Sequence, residues 1–400
     1  MSNAGTLAIN GGPRAKPRPY APRPNRYGDE ELQQLREALA QGTLFYAQGG
    51  KVKEFEERFA ARWGVPHCVA ASSCTGAIHA ALAALRVGPG DEVVTSPITD
   101  MGTLSGALLQ GATPVFADVD PHTCNLTAET VAACLTPRTR AVIAVHLAGN
   151  PCDAPGIAEA TRAAGVALIE DCAQSYLAAI DGRLAGTVGE IGCFSLNEFK
   201  HIACGDGGMC ITADPELARR IRMATDKAYS REPGASRSPE FVATNYRMTE
   251  LQGAVALAQM GKLDAICEGR ARVGDALRVA CEEAPGVAAP RVAPGARCTW
   301  WFFLFRVLGR TSEDDAAWFA AALTAEGVPA GAHYIERCVY TYPAVAHAAA
   351  AGGHRPACPV AEEALRTCVV VPIHESWSDA DTAETAAAIR KVAEAREAGL

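Results

Sequence analysis

The sequence predicts an α/β fold, a mostly parallel β-sheet covered by helices on both faces and followed by a smaller α+β region. Through the first two-thirds of the chain, short Val/Ile/Leu/Ala runs alternate with helix-patterned stretches. Near-continuous apolar runs are what strands buried on both faces require. Beyond that the pattern changes to one aromatic strand-like run and separated helices, and 400 residues at 49% hydrophobic content leave room for two cores.

Taken in order, the first 25 residues are rich in Pro, Gly and Arg and read as an irregular arm, with Met1 to Ala4 resembling a remnant of an expression tag. A helical pattern runs from Gly28 to Ala40. Strand-like runs cover 67–73, 91–96, 114–120, 141–147 and 166–171, with a helix from Thr75 to Leu85 between the first two. The Ala-rich stretch from Met248 to Ala271 predicts one long helix leading away from the sheet. WWFFLFRV at 300–307 predicts a strand, and helices are expected over 313–326 and 379–397. The expected divisions are therefore an arm at 1–25, a large domain at 26–265 and a small C-terminal domain at 266–400.

A formal charge of −8 with no Lys/Arg-rich stripe argues against nucleic acid as a partner. The fifteen cysteines are odd in number, scattered from Cys68 to Cys368 and free of any CxxC, a pattern of reduced thiols in the cytoplasm. No apolar stretch reaches the roughly 18 residues of a membrane span.

Ligands of an open parallel sheet bind beyond the carboxyl ends of its strands, and three such ends carry informative residues. In CVAASSCTGAIHAAL a strand finishes at Ser72 and Ser73 and a helix begins near Thr75, so free N–H groups there suit a phosphate, or Ser73 and Thr75 simply cap the helix. VALIEDCAQSY delivers Asp171, with Gln174 one turn later; its carboxylate can pair with a heteroaromatic cation or cap the next helix. In IGCFSLNEFKHIACGDGGMCIT, Ser195 and Lys200 precede Gly205, Gly207 and Gly208, which permit a tight reversal that aims the lysine. Together these supply the anchor, the tuning carboxylate and the covalent tether that a pyridoxal-5′-phosphate (PLP) site needs. His201, Cys193, Cys204 and Cys210 lack recognised ligand spacing, and no metal is expected.

The stretch EDCAQSYLAAIDGRLAGTVGEIGCFSLNEFKHIACGDGGMCIT, 170–212, resembles the hallmark segment of the DegT/StrS family of PLP-dependent sugar and cyclitol aminotransferases of fold type I. SSCTGAIHAAL at 72–82, the segment 114–149 and NYRMTELQGAVALAQMGKLD at 245–264 are similar to the family as well, so the resemblance covers about 40 to 265 and, more loosely, the last third. It implies PLP held as a Schiff base on Lys200, with Asp171 on the pyridine nitrogen and Gln174 near the ring hydroxyl. Thr75, Ser195 and amides around Cys74 would hold the phosphate, and Asn245 would reach it from the partner subunit of a homodimer with shared active sites. Cys74 departs from the family's glycine, Asp206 stands where many relatives have Glu, and Ile98, Asp100 and Met101 occupy the region of the ring-stacking aromatic. His201 is an additional acid–base candidate.

The implied reaction moves an amino group from glutamate or glutamine to a keto-sugar, nucleotide-linked, or a keto-cyclitol, in aminosugar or antibiotic-type secondary metabolism. The alternative is a PLP-dependent dehydratase, cyclase or aminohydroxybenzoate-synthase-like enzyme on the same scaffold. Tyr46, Arg247, His333, Tyr334 and Arg337 are substrate candidates on position.

Overall fold

The computed structural model of the chain describes residues 6–236, 238–309 and 314–399. The tag-like Met1 to Ala4 and the expected helix start at Glu313 lie outside the described residues.

The strands are β1 (His67–Ala71), β2 (Glu92–Thr95), β3 (Thr113–Phe116), β4 (Thr139–Val145), β5 (Ala167–Asp171), β6 (Ala179–Ile180), β7 (Arg183–Leu184), β8 (Ile191–Ser195) and β9 (Gly208–Thr212), followed by β10 (Val287–Ala288), β11 (Ala296–Arg297), β12 (Phe303–Val307), β13 (Gly331–Ala332) and β14 (Cys368–Val371). The helices are α1 (Asp29–Ala40), α2 (Lys51–Trp63), α3 (Cys74–Ala84), α4 (Met101–Leu109), α5 (Ala128–Ala132), α6 (Ala154–Ala164), α7 (Pro215–Thr225), α8 (Glu250–Met260), α9 (Leu263–Glu282), α10 (Asp315–Ala325), α11 (Pro343–Ala351), α12 (Pro359–Thr367) and α13 (Asp379–Glu397).

Seven strands form the central sheet in the order β1-β9-β8-β5-β4-β2-β3, parallel except where β9 runs against β1 and β8. The strand period of two explains the double burial. Val142, Ala144 and Leu168 face a core with α6, whereas Ala141, Ile143 and Ile169 face the opposite core with α3 and α7. A third core sets Phe55, Phe59 and Trp63 of α2 against Phe194 of β8. A separate antiparallel sheet, β10-β12-β14-β13, packs on α9, α10 and α13.

Three sequence expectations change in the structure. The helix expected from Met248 to Ala271 breaks at Gly261 and Lys262 into α8 and α9, because the Lys262 Nζ is drawn onto the Arg26 carbonyl at 2.6 Å and the Glu31 carboxylate at 2.7 Å. The 114–120 strand ends at Phe116, since the Asp118 carboxylate turns away to accept from the Val360 and Ala361 N–H groups at the start of α12. The N-terminal arm is anchored: Lys16 is buried, with its Nζ 2.7 Å from Asp381 and 3.2 Å from Glu384. Among the described residues no helix is long and apolar enough to cross a membrane.

Candidate active site

Three sequence-distant segments meet in a cavity of about 320 Å³ at the carboxyl ends of β1, β5 and β8. At one end lies the start of α3. Ser73 Oγ accepts from the Gly76 N–H at 3.0 Å, which leaves the N–H groups of Cys74 and Thr75 unpaired among the described residues and directed, with the helix dipole, at the cavity end. The cradle is tight against β9. A Cβ on Gly208 would stand 2.4 Å from the Ser73 oxygen and 2.6 Å from the Cys74 nitrogen, so only glycine lets the two backbones approach. Ser195, at the end of β8, lines the same cavity.

Asp171 closes the other end. It is the last residue of β5, 5% exposed, and its oxygens accept from Thr103 Oγ1 at 2.8 Å and the Ala173 N–H at 3.0 Å. Burial pushes its carboxyl above the usual range, opposed by those two hydrogen bonds and by Lys200. A buried carboxylate so placed is poised for a cation, which a protonated pyridine nitrogen supplies. Gln174 is fixed from both sides, its Oε1 accepting from the Ala148 N–H at 2.7 Å and its Nε2 donating to the Tyr334 hydroxyl at 3.2 Å. Tyr334 is carried there by a turn in which His333, Tyr334 and Glu336 all hold positive φ, a strained arrangement for non-glycine residues.

Lys200 leans over the cavity between these ends. Burial pulls its ammonium down to about 8, against the opposing pull of Asp171, Cys74 and Asp100. Its backbone is held by Arg26, whose Nη1 donates to the Lys200 carbonyl at 2.7 Å and the His201 carbonyl at 2.9 Å. The same guanidinium forms a two-pronged pair with Glu375, which also takes Arg270 at 3.2 Å. Arg270 in turn donates to the Trp301 carbonyl at 2.7 Å. The Trp301 ring lies against Lys200, with the Nζ 3.3 Å from its centroid.

An elongated molecule with a phosphate at one end, a basic ring nitrogen at the other and an aldehyde beside an amine matches this donor set, so the residues fit PLP.

The structure thus brings together Cys74, Thr75, Asp171, Gln174, Ser195, Lys200 and, beside them, Tyr334. It separates the others. Tyr46 donates to Asp226 at 2.8 Å and lines a different, larger cavity between α2 and α7, and Arg247 and Arg231 bind the same Asp226. His333 turns to the Leu365 carbonyl and Asp314. Arg337 stacks on Tyr342. Asn245 is exposed and stands outside the cavity of its own chain.

In the segment expected to face the ring, Ile98 is buried and Met101 packs on the core, while Asp100 caps α4 and lines the cavity. His201 is buried with its Nε2 on the Thr299 carbonyl, and burial, then Arg270, drives its imidazole well below the usual range; it does not face the cavity. Cys193 and Cys210 pair across β8 and β9 at 3.8 Å, apart from His201 and Cys204. His146, Glu170 and Cys172 do cluster at metal-like distances, but the Glu170 carboxylate is saturated by the N–H groups of Gly186, Val188 and Gly189, and His146 Nδ1 accepts from Cys152.

Thr103, Trp301, Arg26, Arg270 and Glu375 were not legible as site residues. Trp301 and Arg270 lay in segments read only as a strand and a helix, and Thr103 follows Ile98, Asp100 and Met101 in the region expected to face the ring.

Comparison with known proteins supplies the family. The sequence profile described as the DegT/DnrJ/EryC1/StrS aminotransferase family matches residues 25–390. The spore coat polysaccharide biosynthesis protein SpsC of Bacillus subtilis (strain 168) is 32% identical over 374 residues, covering 91% of this chain and 95% of that protein. The UDP-N-acetyl-3-dehydro-alpha-D-glucosamine 3-aminotransferase of Acidithiobacillus ferrooxidans is 34% identical over 372 residues, covering 91% and 94%. The crystal structure of DesI in the presence of its TDP-sugar product superimposes with a TM-score of 0.82 at 30% identity, covering 98% of each chain. The chain belongs to the DegT/DnrJ/EryC1/StrS aminotransferase family and is a PLP-dependent aminotransferase of the α/β fold.

Proposed function

We propose that the chain moves an amino group from glutamate or glutamine to a nucleotide-linked keto-sugar, with keto-cyclitols as the other acceptor class, in aminosugar biosynthesis. The observation that carries this is the convergence of the unpaired Cys74 and Thr75 N–H groups, buried Asp171 and Lys200 in one cavity. Relatives named for UDP-linked and TDP-linked sugars support the acceptor class.

Bound here, PLP supplies an electron sink beside the carbon that exchanges its proton. The Cys74 and Thr75 N–H groups and the Thr75 and Ser195 hydroxyls would hold its phosphate. Asp171 would keep a proton on the pyridine nitrogen, and Gln174 would offer its amide to the ring hydroxyl. Lys200 would tether the cofactor and, as a free amine, would serve as the base. Burial lowers its ammonium to about 8, closer to neutrality than an exposed lysine, which suits an amine that takes and returns a proton.

In this reading two chains share active sites, each Asn245 reaching the partner's phosphate pocket, and the reaction runs in the cytoplasm, a compartment suited to fifteen unpaired cysteines. We place the large cofactor domain at 26–265 and the small domain at 266–400.

The test is an absorbance spectrum of purified protein with PLP, before and after glutamate or glutamine, repeated on Lys200→Ala and followed by UDP- or TDP-linked keto-sugars. A yellow band that bleaches with donor, returns with keto-sugar and is lost in the variant supports the reading. A protein that takes up no PLP, or one whose band ignores both donors, overturns it.

A further inference from the structure

The cavity contains a feature that the transfer reaction described above does not use. Lys200 is half-buried, yet among the described residues its Nζ makes no hydrogen bond and no ion pair; what it touches is the face of Trp301. At 3.3 Å from the centroid the contact is well inside the range in which an aromatic quadrupole attracts a cation. The ring is itself fixed. Its Nε1–H donates to the Phe199 carbonyl at 2.8 Å, its backbone N–H donates to the Ala148 carbonyl at 2.9 Å, and its carbonyl accepts from Arg270. Glu375 ties Arg270 to Arg26, which grips the Lys200 carbonyl, so one carboxylate fixes the indole and the lysine backbone relative to each other.

We propose that Trp301 is a positioning residue of this enzyme: its indole face is the seat that the Lys200 amine takes whenever the lysine is not bonded to cofactor. The inference rests on the reading of Lys200 as the cofactor-bearing amine.

The chemistry favours such a seat. A released lysine has four rotatable carbons and would wander into solvent, yet it must remain beside the carbon whose proton it takes and returns. A carboxylate seat would hold it but would bind the proton and raise its pKa. An indole face offers no lone pair for that proton, so it holds the ammonium beside the reacting carbon while raising its pKa less than a carboxylate would. The charged or titratable groups acting on Lys200 are Asp171, Cys74 and Asp100, of which Asp171 is a buried carboxylate of the same cavity and Asp100 caps α4. None of them is an ion-pair partner of its Nζ among the described residues.

Two measurements on the full-length chain test this. First, indole emission of the PLP-free wild type and of Lys200→Met is titrated against pH. The wild type should show a step near pH 8 that the variant lacks. Second, the pH midpoint of the rate of PLP uptake is compared in wild type, Trp301→Leu and Trp301→Phe. Loss of the aromatic face should lower the midpoint by roughly 0.4 to 1.5 pH units in Trp301→Leu, and Trp301→Phe should restore most of it.

The same emission curve in wild type and Lys200→Met, or equal midpoints in the leucine and phenylalanine variants, overturns the proposal. Should Trp301→Leu not fold, the wild type and Lys200→Met titrations still decide. Because the emission step is read without PLP, its absence removes the seat alone, whereas failure to take up PLP removes the transaminase reading beneath it.

Discussion

Replacing Thr103 with valine removes one hydroxyl from the wall of the cavity at nearly constant volume. That hydroxyl donates to the Asp171 carboxylate at 2.8 Å and sits 2.7 Å from the Thr99 hydroxyl; all three residues are at most 5% exposed, so water does not readily replace what is lost. A hydrogen bond to a charged group contributes about 1.5–3 kcal/mol. The ionised form of Asp171 loses that support, its pKa rises further above the usual carboxylate range, and its hold on the pyridine proton weakens in proportion. The expected outcome is a PLP affinity lowered by about ten- to a hundredfold.

The loss should widen as pH falls, because the variant's Asp171 takes up a proton before the wild type's does. Titration of the cofactor-free protein with PLP, followed by absorbance at two pH values, reads the effect, and Thr103→Ser should recover most of it by keeping the hydroxyl. A valine variant whose Kd lies within twofold of the wild type at both pH values would refute the assignment of Asp171 as the ring partner tuned by Thr103.

Other expectations follow from the same geometry. Asp171→Asn should raise the Tm of the cofactor-free protein at neutral pH but leave it unchanged in acid. A folded pKa above the unfolded one means that its stability contribution is present at low pH and is lost as pH rises through the folded value, and the amide escapes that loss; with saturating PLP the order of Tm should reverse. Gly208→Ala drives a Cβ to 2.4 Å from the Ser73 oxygen and should cost about 1–3 kcal/mol of stability, with a larger loss of phosphate affinity, measured with PLP and with inorganic phosphate as competitor. Glu375→Gln leaves Arg26 and Arg270 buried without their carboxylate. It should cost about 3–5 kcal/mol in urea unfolding and release the Lys200 carbonyl, seen as slower PLP uptake.

The sequence displayed those parts of the site that sit at the ends of strands. Asp171 closes an apolar run, Lys200 precedes a glycine cluster that can only be a reversal, and Ser73 precedes a helical pattern, so local chemistry and location coincide. Trp301 escaped because WWFFLFRV reads as core, and a ring turned toward a lysine 101 positions earlier leaves no local mark. Arg26, Arg270 and Glu375 escaped because each alone is an ordinary surface-type residue; they become a site component only when three segments close on one another. Tyr46 and Arg247 were assigned to substrate on position, and Asp226, a buried carboxylate in none of the motifs, claims both. The break at Lys262 had the same origin, a distant partner in Glu31.

The Arg26–Glu375–Arg270 junction also bears on how the chain acquires its cofactor during synthesis. All strands of the central sheet have been made once Thr212 has left the ribosome, whereas the carboxylate that locks the lysine loop is encoded roughly 160 residues later. At about 5–20 residues per second the interval is on the order of 10–30 s. Throughout that time the residues of the sheet, the phosphate cradle and Lys200 are all present, and the carboxylate that clamps the lysine backbone is not. The clamp on the Lys200 carbonyl is thus the last part of the site to be completed, and a chain ending before residue 375 lacks the carboxylate that holds Arg26 against it.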